Sequence, residues 1–303
     1  MQIAETKCHI DIYLYDFMTA VSGQYILIKY ALYDLKGTRL VRGRYLMNNI
    51  ILNETEYAKK SIETNDLGDS PFVTLKCVAR YYMDCGYNKR ATRSMLDGFV
   101  VKCGEAPVAS VSRMIDNAIS LAMKYKAVNV QEIVITDNEL KRIDEIKSKQ
   151  VRRLAFTLLC LSKYWNIVKE SDDYWVNSKD KDIMAMANIN TSLKRQEALY
   201  YELNKLGMVR FSKQVDNTNV QVLYAEEGNP ALIIDDFRNL GYQYMMYQGE
   251  PYFKCENCGI VTKLLDPNNR RRQKYCKDCA IKIAVQQRVD YVMRKTATRK
   301  NEN

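Results

Sequence analysis

The sequence lacks the long apolar run that a membrane-spanning helix requires. Its longest uncharged stretch, residues 17–28, has 12 residues and includes Ser, Gly and Gln, whereas a spanning helix needs about 20 apolar residues. The first residues include acidic Glu5 and lack the basic and apolar regions of a secretory signal. We therefore expect no membrane partner and a cytoplasmic location. A hydrophobic content of 47% and a charged content of 27% exclude a disordered or collagenous chain.

Catalytic motifs are also scarce. The single histidine, His9, lies in a predicted strand away from any recognisable nucleophile motif. The chain has no Walker loop, no G-x-G-x-x-G and no H-E-x-x-H. Asp235 and Asp236 are adjacent in a strand-like run, where neighbouring side chains point to opposite faces. The sequence therefore predicts a protein that is not an enzyme.

What the chain does have is positive charge concentrated at one end. It contains 46 Lys and Arg against 36 Asp and Glu, a net charge of +10. Residues 254–303 account for +8 of this, and residues 1–253 for only +2. A basic end on a nearly neutral body indicates a contact surface for a polyanion, with a solubilising tail as the alternative.

Four of the nine cysteines have metal-site spacing. Cys255, Cys258, Cys276 and Cys279 form a C-x2-C-x17-C-x2-C pattern, with Gly259 directly after the first pair. Paired C-x2-C turns at this separation are typical of zinc sites, and a reducing compartment disfavours disulfides. Four thiolates leave no coordination position for an activated water, so we predict structural Zn2+. Iron also accepts four thiolates, but nothing nearby indicates electron transfer.

The first 150 residues predict strands followed by helices. Period-2 alternation at residues 9–15, 26–32 and 38–46 indicates an antiparallel meander or hairpin. A polar connection then leads to helices beginning at Pro71, covering 89–103, and beginning near Pro107. A short strand is predicted within 131–136, followed by a helix that starts with a Thr136 capping box and continues to about Gln150.

Residues 151–224 have the element order of a winged helix. The first helix is marked by Leu154, Leu158, Leu161 and Trp165; a strand at 174–176 and a helix over 179–188 follow. A third helix, capped by Asn190 and Thr191, has an apolar seam of Leu193, Leu199, Tyr200, Leu203 and Leu206. Strands at 208–213 and 220–224 complete a hairpin. In such modules the third helix enters the major groove and the wing contacts the backbone or the minor groove.

These patterns predict an α+β multidomain protein. The predicted parts are an N-terminal β-plus-helical region (1–150), a central winged helix-turn-helix (151–224), an aromatic-rich bridging segment (225–253) and a C-terminal zinc ribbon with a basic helix (254–303). The role of residues 1–150 is not indicated by any pattern.

The last 50 residues resemble a known class of zinc ribbon. The similarity rests on residues 252–285, Y-F-K-C-E-N-C-G-x(10)-R-R-R-Q-K-Y-C-K-D-C-A-I-K-I-A-V. This run resembles the small zinc ribbons near the C-termini of phage and mobile-element proteins of low-GC Gram-positive bacteria. The resemblance, looser over the winged-helix segment, implies a DNA-related role and a host-cytoplasmic location if the chain is phage-encoded.

Candidate nucleic-acid contacts lie on the third helix, the wing and the ribbon. Opposite the leucine seam are Thr191, Lys194, Tyr201 and Lys205, with Arg195 at the edge of this face. The wing contributes Lys213 and Asn217. Arginine pairs bidentately with phosphate or guanine, so the ribbon loop and terminal helix add Arg270, Arg271, Arg272, Lys274, Arg288 and Arg294.

The sequence thus predicts double-stranded DNA binding in transcription regulation or replication initiation. Two alternatives stay open. One is an adaptor that docks a polymerase, a helicase or another replication protein, because winged helices also bind proteins. The other is single-stranded DNA or RNA binding through Tyr242, Tyr244, Tyr247, Tyr252 and Phe253, because aromatic rings stack on unpaired bases. A homodimer is compatible with any of these.

Overall fold

The computed structural model describes residues 50–68, 70–104, 107–212, 219–266 and 273–301. The strands predicted within residues 1–49 lie outside this range. The described residues form a mixed helix-and-sheet fold with small antiparallel sheets, which confirms the α+β class.

The described elements are ten helices and seven strands. The helices are α1 Glu54–Thr64, α2 Pro71–Asp84, α3 Lys89–Cys103, α4 Val108–Ala122, α5 Asp137–Asp144, α6 Lys149–Lys169, α7 Asp180–Met186, α8 Leu193–Lys205, α9 Leu240–Tyr247 and α10 Lys277–Asn301. The strands are β1 Ile133–Thr136, β2 Trp175–Val176, β3 Val209–Phe211, β4 Val220–Val222, β5 Pro230–Ile234, β6 Tyr252–Lys254 and β7 Val261–Lys263.

Helices α1 to α4 pack around one hydrophobic cluster. The predicted helix over 89–103 is confirmed, with the Asn88 side chain accepting from the Ala91 backbone N–H and Gly104 ending it in the left-handed region. The predicted polar connection before Pro71 is wrong in part, because it contains α1. The sequence of α1 has no long apolar stripe that would predict a helix, because the only apolar residue it buries is Ala58, together with Glu54 and Ser61. Glu54 is held there by ion pairs to Lys76 and Arg80.

The capping box at Thr136 is confirmed, but the helix after it ends earlier than predicted. The Thr136 hydroxyl accepts from the Glu139 backbone N–H, and the Glu139 carboxylate accepts from the Thr136 N–H. Helix α5 ends at Asp144 rather than near Gln150. Ser148 then caps a new helix, α6, by accepting from the Val151 N–H. A second N-cap only four residues after α5 ends explains the break.

Residues 151–224 contain the predicted order of helix, strand, two helices and a hairpin. Strand β4 lies between β2 and β3 in one antiparallel sheet. Two details of the predicted third helix are wrong. Helix α8 begins after Ser192 rather than after a cap at Asn190 and Thr191, and the ends of its seam are exposed, Leu193 by 76% and Leu206 by 51%.

The aromatic segment 225–253 folds as a strand and a helix. Strand β5 pairs antiparallel with β1, with Ile133 opposite Ile234. Helix α9 was not predicted; it buries Leu240, Gly241, Tyr244 and Met245, and its Tyr244 ring lies 5.2 Å from the ring of Phe156. Its Tyr- and Met-rich sequence has no clear helical period, so packing on α6 decides its structure.

A second hydrophobic cluster is centred on α6 and joins α5 through α9 with strands β1 to β5. It extends from Val130 to Met245 and also includes Leu52. The predicted domain limits at residues 150, 224 and 253 stay a prediction, because a shared cluster records packing and not independent folding. Within the described ranges, no helix is both long and apolar enough to cross a membrane.

Candidate metal centre and nucleic-acid interface

The four spaced cysteines converge at one point. Cys255 and Cys258 lie on the turn of the β6–β7 hairpin, and Cys276 and Cys279 lie at the start of α10. Their four sulfur atoms are all within 4.8 Å of one another. Three of the cysteines are buried and Cys258 is half-buried. None of the eight described cysteines forms a disulfide.

Local backbone geometry shapes the first half of this cluster. The Cys255 N–H donates to the Ile260 carbonyl at 2.9 Å, and the Gly259 N–H donates to the Cys255 carbonyl at 2.9 Å. Gly259 has φ of 75°, a left-handed conformation that glycine adopts without a steric penalty. The sequence position of Gly259 directly after the C-x2-C pair is therefore explained by the turn. We call residues 252–263 with Cys276 and Cys279 the knuckle.

Hydrogen bonds to sulfur prepare the cluster for thiolates. The Cys276 N–H donates to Cys255 Sγ at 3.2 Å, and the Asn257 side-chain amide donates to Cys279 Sγ at 3.3 Å. Burial raises the pKa of Cys255, but N–H donors from Cys276, Cys258 and Asn257 outweigh it and lower this pKa to about 6. Burial raises the pKa of Cys258 and of Cys276.

The distances between the sulfur atoms fit tetrahedral coordination of one metal ion. A metal–sulfur distance of about 2.3 Å gives tetrahedral edges of about 3.8 Å, and Cys258 Sγ lies 3.8 Å from Cys276 Sγ. Four cysteine ligands would fill a tetrahedral shell and leave no position for water. The cluster can therefore hold a metal ion that supports the fold.

The ribbon residues predicted to contact nucleic acid have different surroundings. Lys274 forms an ion pair with Glu256 at 3.5 Å, with both side chains more than half exposed. Arg288 is exposed on α10, and Arg294 Nε donates to the Asp290 carbonyl at 3.2 Å. Arg270, Arg271 and Arg272 lie outside the described residues.

Helix α8 presents a cationic face. Lys194, Arg195, Tyr201 and Lys205 are exposed, opposite buried Leu199, Tyr200 and Leu203. In the part of the chain that the structure describes, Lys194, Arg195 and Lys205 form no ion pair. Thr191 is half-buried, precedes the helix, and accepts the Gln196 side-chain amide at its carbonyl. Lys213 and Asn217 lie outside the described residues.

The aromatic residues between positions 242 and 253 are mostly used in packing. Tyr244 is fully buried and donates to Asp144 Oδ1 at 2.5 Å. The rings of Tyr242 and Tyr252 lie 4.8 Å apart, and both residues are half-buried. Tyr247 is 43% exposed. Four of the five aromatic residues in this segment, including half-buried Phe253, thus have limited surface for stacking on a base.

Sequence reasoning missed two asparagines that connect the knuckle to the turn between α7 and α8. Asn188 Nδ2 donates to Asn239 Oδ1 at 2.9 Å, and Asn239 Nδ2 donates to the Val261 carbonyl at 2.9 Å. We call Asn188, Asn239 and the Val261 carbonyl the amide link. Both asparagines have φ of 56°, a conformation in which asparagine is enriched. For Asn188 the one sequence signal is its place directly after a helical run; Asn239 instead precedes α9, and no local pattern marks it.

Comparisons with known proteins add no assignment. The chain matches no family model, no curated protein and no solved structure. Function must therefore be argued from the knuckle and the α8 face.

Proposed function

We propose that residues 151–224 form a winged helix and that the chain binds double-stranded DNA, in transcription regulation or replication initiation. The topology supports the first part: α6, β2, α7, α8, β3 and β4 follow in winged-helix order, and β4 pairs with both β2 and β3. In this interpretation α8 is the recognition helix and the chain between β3 and β4 is the wing.

The exposed face of α8 is the observation that carries the proposal. Lys194, Arg195 and Lys205 are solvent-exposed and, among the described residues, bound to no carboxylate. Because none of the three has an ion pair among the described residues, contact with phosphates or base edges would release counterions from the DNA without breaking internal ion pairs. Exposed Tyr201 lies on the same face and adds a hydroxyl for hydrogen bonding.

The metal proposed for the knuckle is structural Zn2+. Its four ligands would be the cysteine sulfurs, which suit zinc by softness and tetrahedral spacing. Zinc would fix the β6–β7 hairpin against the start of α10. The knuckle would then hold Lys274 and the exposed Arg288 beside the DNA backbone as salt-sensitive contacts. Arg270, Arg271, Arg272 and Arg294 are proposed as further contacts from the sequence alone.

Duplex selection from random sequence tests the proposal, with zinc-loaded protein at physiological salt. We expect a recurring motif, and a symmetric motif would indicate a homodimer. The paired substitution Lys194→Ala/Arg195→Ala should weaken binding at least tenfold and reduce the salt slope by about 2, one counterion unit for each lost phosphate contact. Lys124→Ala/Lys126→Ala removes the same charge from two exposed residues after α4 and should leave affinity nearly unchanged.

An equal loss of duplex affinity in the two double variants would show that only net charge matters. It would also contradict the assignment of α8 as the recognition helix. Failure to bind any duplex would overturn the proposed function.

One feature favours the adaptor as a second candidate. Ile281, Val285 and Val289 are exposed by 39%, 39% and 37% at four-residue intervals along α10. Residues at this spacing share one helix face, and an exposed apolar stripe suits a protein partner. Ile281→Ser/Val289→Ser adds no charge beside Arg288. It should abolish capture of a polymerase or helicase if the adaptor function holds, and it should leave duplex affinity unchanged.

A further inference from the structure

Both the oxygen and the nitrogen of the Asn239 side-chain amide form hydrogen bonds. Its oxygen accepts from Asn188 and its nitrogen donates to the Val261 carbonyl, and the residue is only 7% exposed. A buried amide that loses one partner is left with an unsatisfied polar group, which is costly. The orientation of Asn239 therefore requires that the knuckle strand and the α7–α8 turn both stay in place.

The turn between α7 and α8 is held tightly at its end of the amide link. The Asn188 Oδ1 accepts from the Tyr242 N–H at 3.0 Å, and its carbonyl accepts from Arg153 Nη1 at 3.2 Å. Gly241 lies against the same turn, since a Cβ at this position would be 2.1 Å from the Ala187 carbonyl oxygen. The start of α9 thus rests directly on the chain that leads into α8.

At its other end, the link meets the knuckle close to two of the cysteines. Val261 pairs with Lys254, the residue before Cys255. Arg238, the residue before Asn239, donates from Nη2 to the Cys258 carbonyl at 2.7 Å. Residues 238 and 239 therefore bond to the backbone within, and directly after, the turn that carries the first cysteine pair.

We propose that Asn239 is a positioning residue that couples metal-dependent order in the knuckle to the α7–α8 turn. With the knuckle ordered by metal, the Val261 carbonyl holds Asn239, and Asn239 holds Asn188 at the point where the chain enters α8. With the knuckle disordered, the amide link loses one end and the turn becomes more mobile. The consequence for DNA rests on the proposed function; the coupling itself does not.

Amide hydrogen exchange on the full chain, zinc-loaded and chelated, tests the coupling without DNA. The probes are the N–H groups of Asn188 and Ile189, which donate to Ala185 and Met184 in the turn. Chelation should speed their exchange about tenfold, the effect expected from losing about one net hydrogen bond. Unchanged exchange at these amides, while the knuckle amides become exposed, would overturn the proposal.

The substitution Asn239→Asp isolates the link. Aspartate has the same shape, tolerates the left-handed conformation and still accepts from Asn188, but it has no N–H for Val261. In Asn239→Asp the effect of chelation on Asn188 and Ile189 should fall to about twofold or less. The control, Asn204→Ala, removes a comparable amide bond to the Val209 carbonyl at 2.9 Å and should retain the full response. A full response in Asn239→Asp would contradict the proposal.

If Asn239→Asp does not fold, Asn188→Asp breaks the same link at its half-buried end: it keeps the acceptor for the Tyr242 N–H and loses only the Nδ2–H bond to Asn239. It should reduce the chelation response at Ile189 by at least half; no reduction would overturn the role of Asn239. A separate readout links the coupling to DNA. By reciprocity, duplex should raise zinc affinity in the wild type, and by a smaller factor in Asn239→Asp, where only the direct contacts between ribbon and DNA remain. If duplex does not raise the zinc affinity of the wild type, while chelation still speeds exchange at Asn188 and Ile189, only the DNA proposal is overturned.

Discussion

The α6 cluster and the knuckle are ordered by different interactions. Helix α6 buries residues around its whole circumference, twelve in all, within a cluster that extends from Val130 to Met245. The cluster at the centre of the knuckle consists of three buried cysteines with Cys258, Ile260 and Tyr275 packed against them. Apolar burial is sufficient for the first region. The second is too small for an apolar core, and in the proposed function a metal bound by its four sulfur atoms orders it.

Metal removal should separate the two regions most strongly. Cys276→Ser, or chelation of the wild type, is expected to abolish protection of residues 252–263 and 276–279, because small four-ligand zinc sites commonly supply most of their own folding free energy. Protection in α6 should persist. Hydrogen exchange with mass spectrometry measures both regions at once, and exposed Cys85→Ser is the control. Equal loss of protection in α6 would show that the two regions unfold as one.

Shortening one side chain in α6 and one in α10, the helix that follows the knuckle, gives the next largest difference in stability. Leu158→Ala removes a fully buried side chain from α6 and should lower the free energy of unfolding by about 3 kcal/mol, through lost apolar burial and a cavity. Ile281→Ala, on the exposed face of α10, should change it by less than about 0.5 kcal/mol. Denaturant titration followed by tryptophan fluorescence measures this. A large cost for Ile281→Ala would indicate that α10 packs on another surface in solution.

The buried ion pair beside α6 should also be costly to break. Lys163 Nζ lies 2.7 Å from Glu139 Oε2 and also donates to the Val134 carbonyl at 2.8 Å, and the Glu139 side chain is 0% exposed. Lys163→Met leaves a buried carboxylate without its cation and should destabilise the protein by about 3 kcal/mol. Adding Glu139→Gln should recover part of that loss; no recovery in the double variant would contradict this account.

The exposed ion pair of the knuckle should matter least. Lys274 and Glu256 are 3.5 Å apart, with side chains 60% and 54% exposed. Lys274→Ala is expected to cost less than about 0.5 kcal/mol, because water and salt screen the attraction. Zinc affinity and thermal stability should stay near wild type, and a clear loss of either would show that Lys274 supports the cluster.

The parts of the site set by short-range spacing were predictable from the sequence. The two C-x2-C pairs, Gly259 and the helix after Cys279 were all predicted, because each depends on residues within a few positions of one another. The α8 cations were predicted by helical periodicity, although the exposure of Leu193 was not. Asn188, Asn239 and Gly241 were missed because their contacts join residues about 50 positions apart, which no local pattern records.

By itself the sequence determined the elements that carry their own hydrogen-bonding signals. The capping box at Thr136, the limits of α3 and the cysteine spacing are local, so neighbouring side chains and backbone groups were enough to define them. Tertiary structure alone decided that Glu54 would be buried in α1 by Lys76 and Arg80, and that α9 would be a helix on α6. It also paired Ile133 with Ile234 across about 100 residues. These features depend on burial and on bonds between distant residues, which form only when the chain has folded.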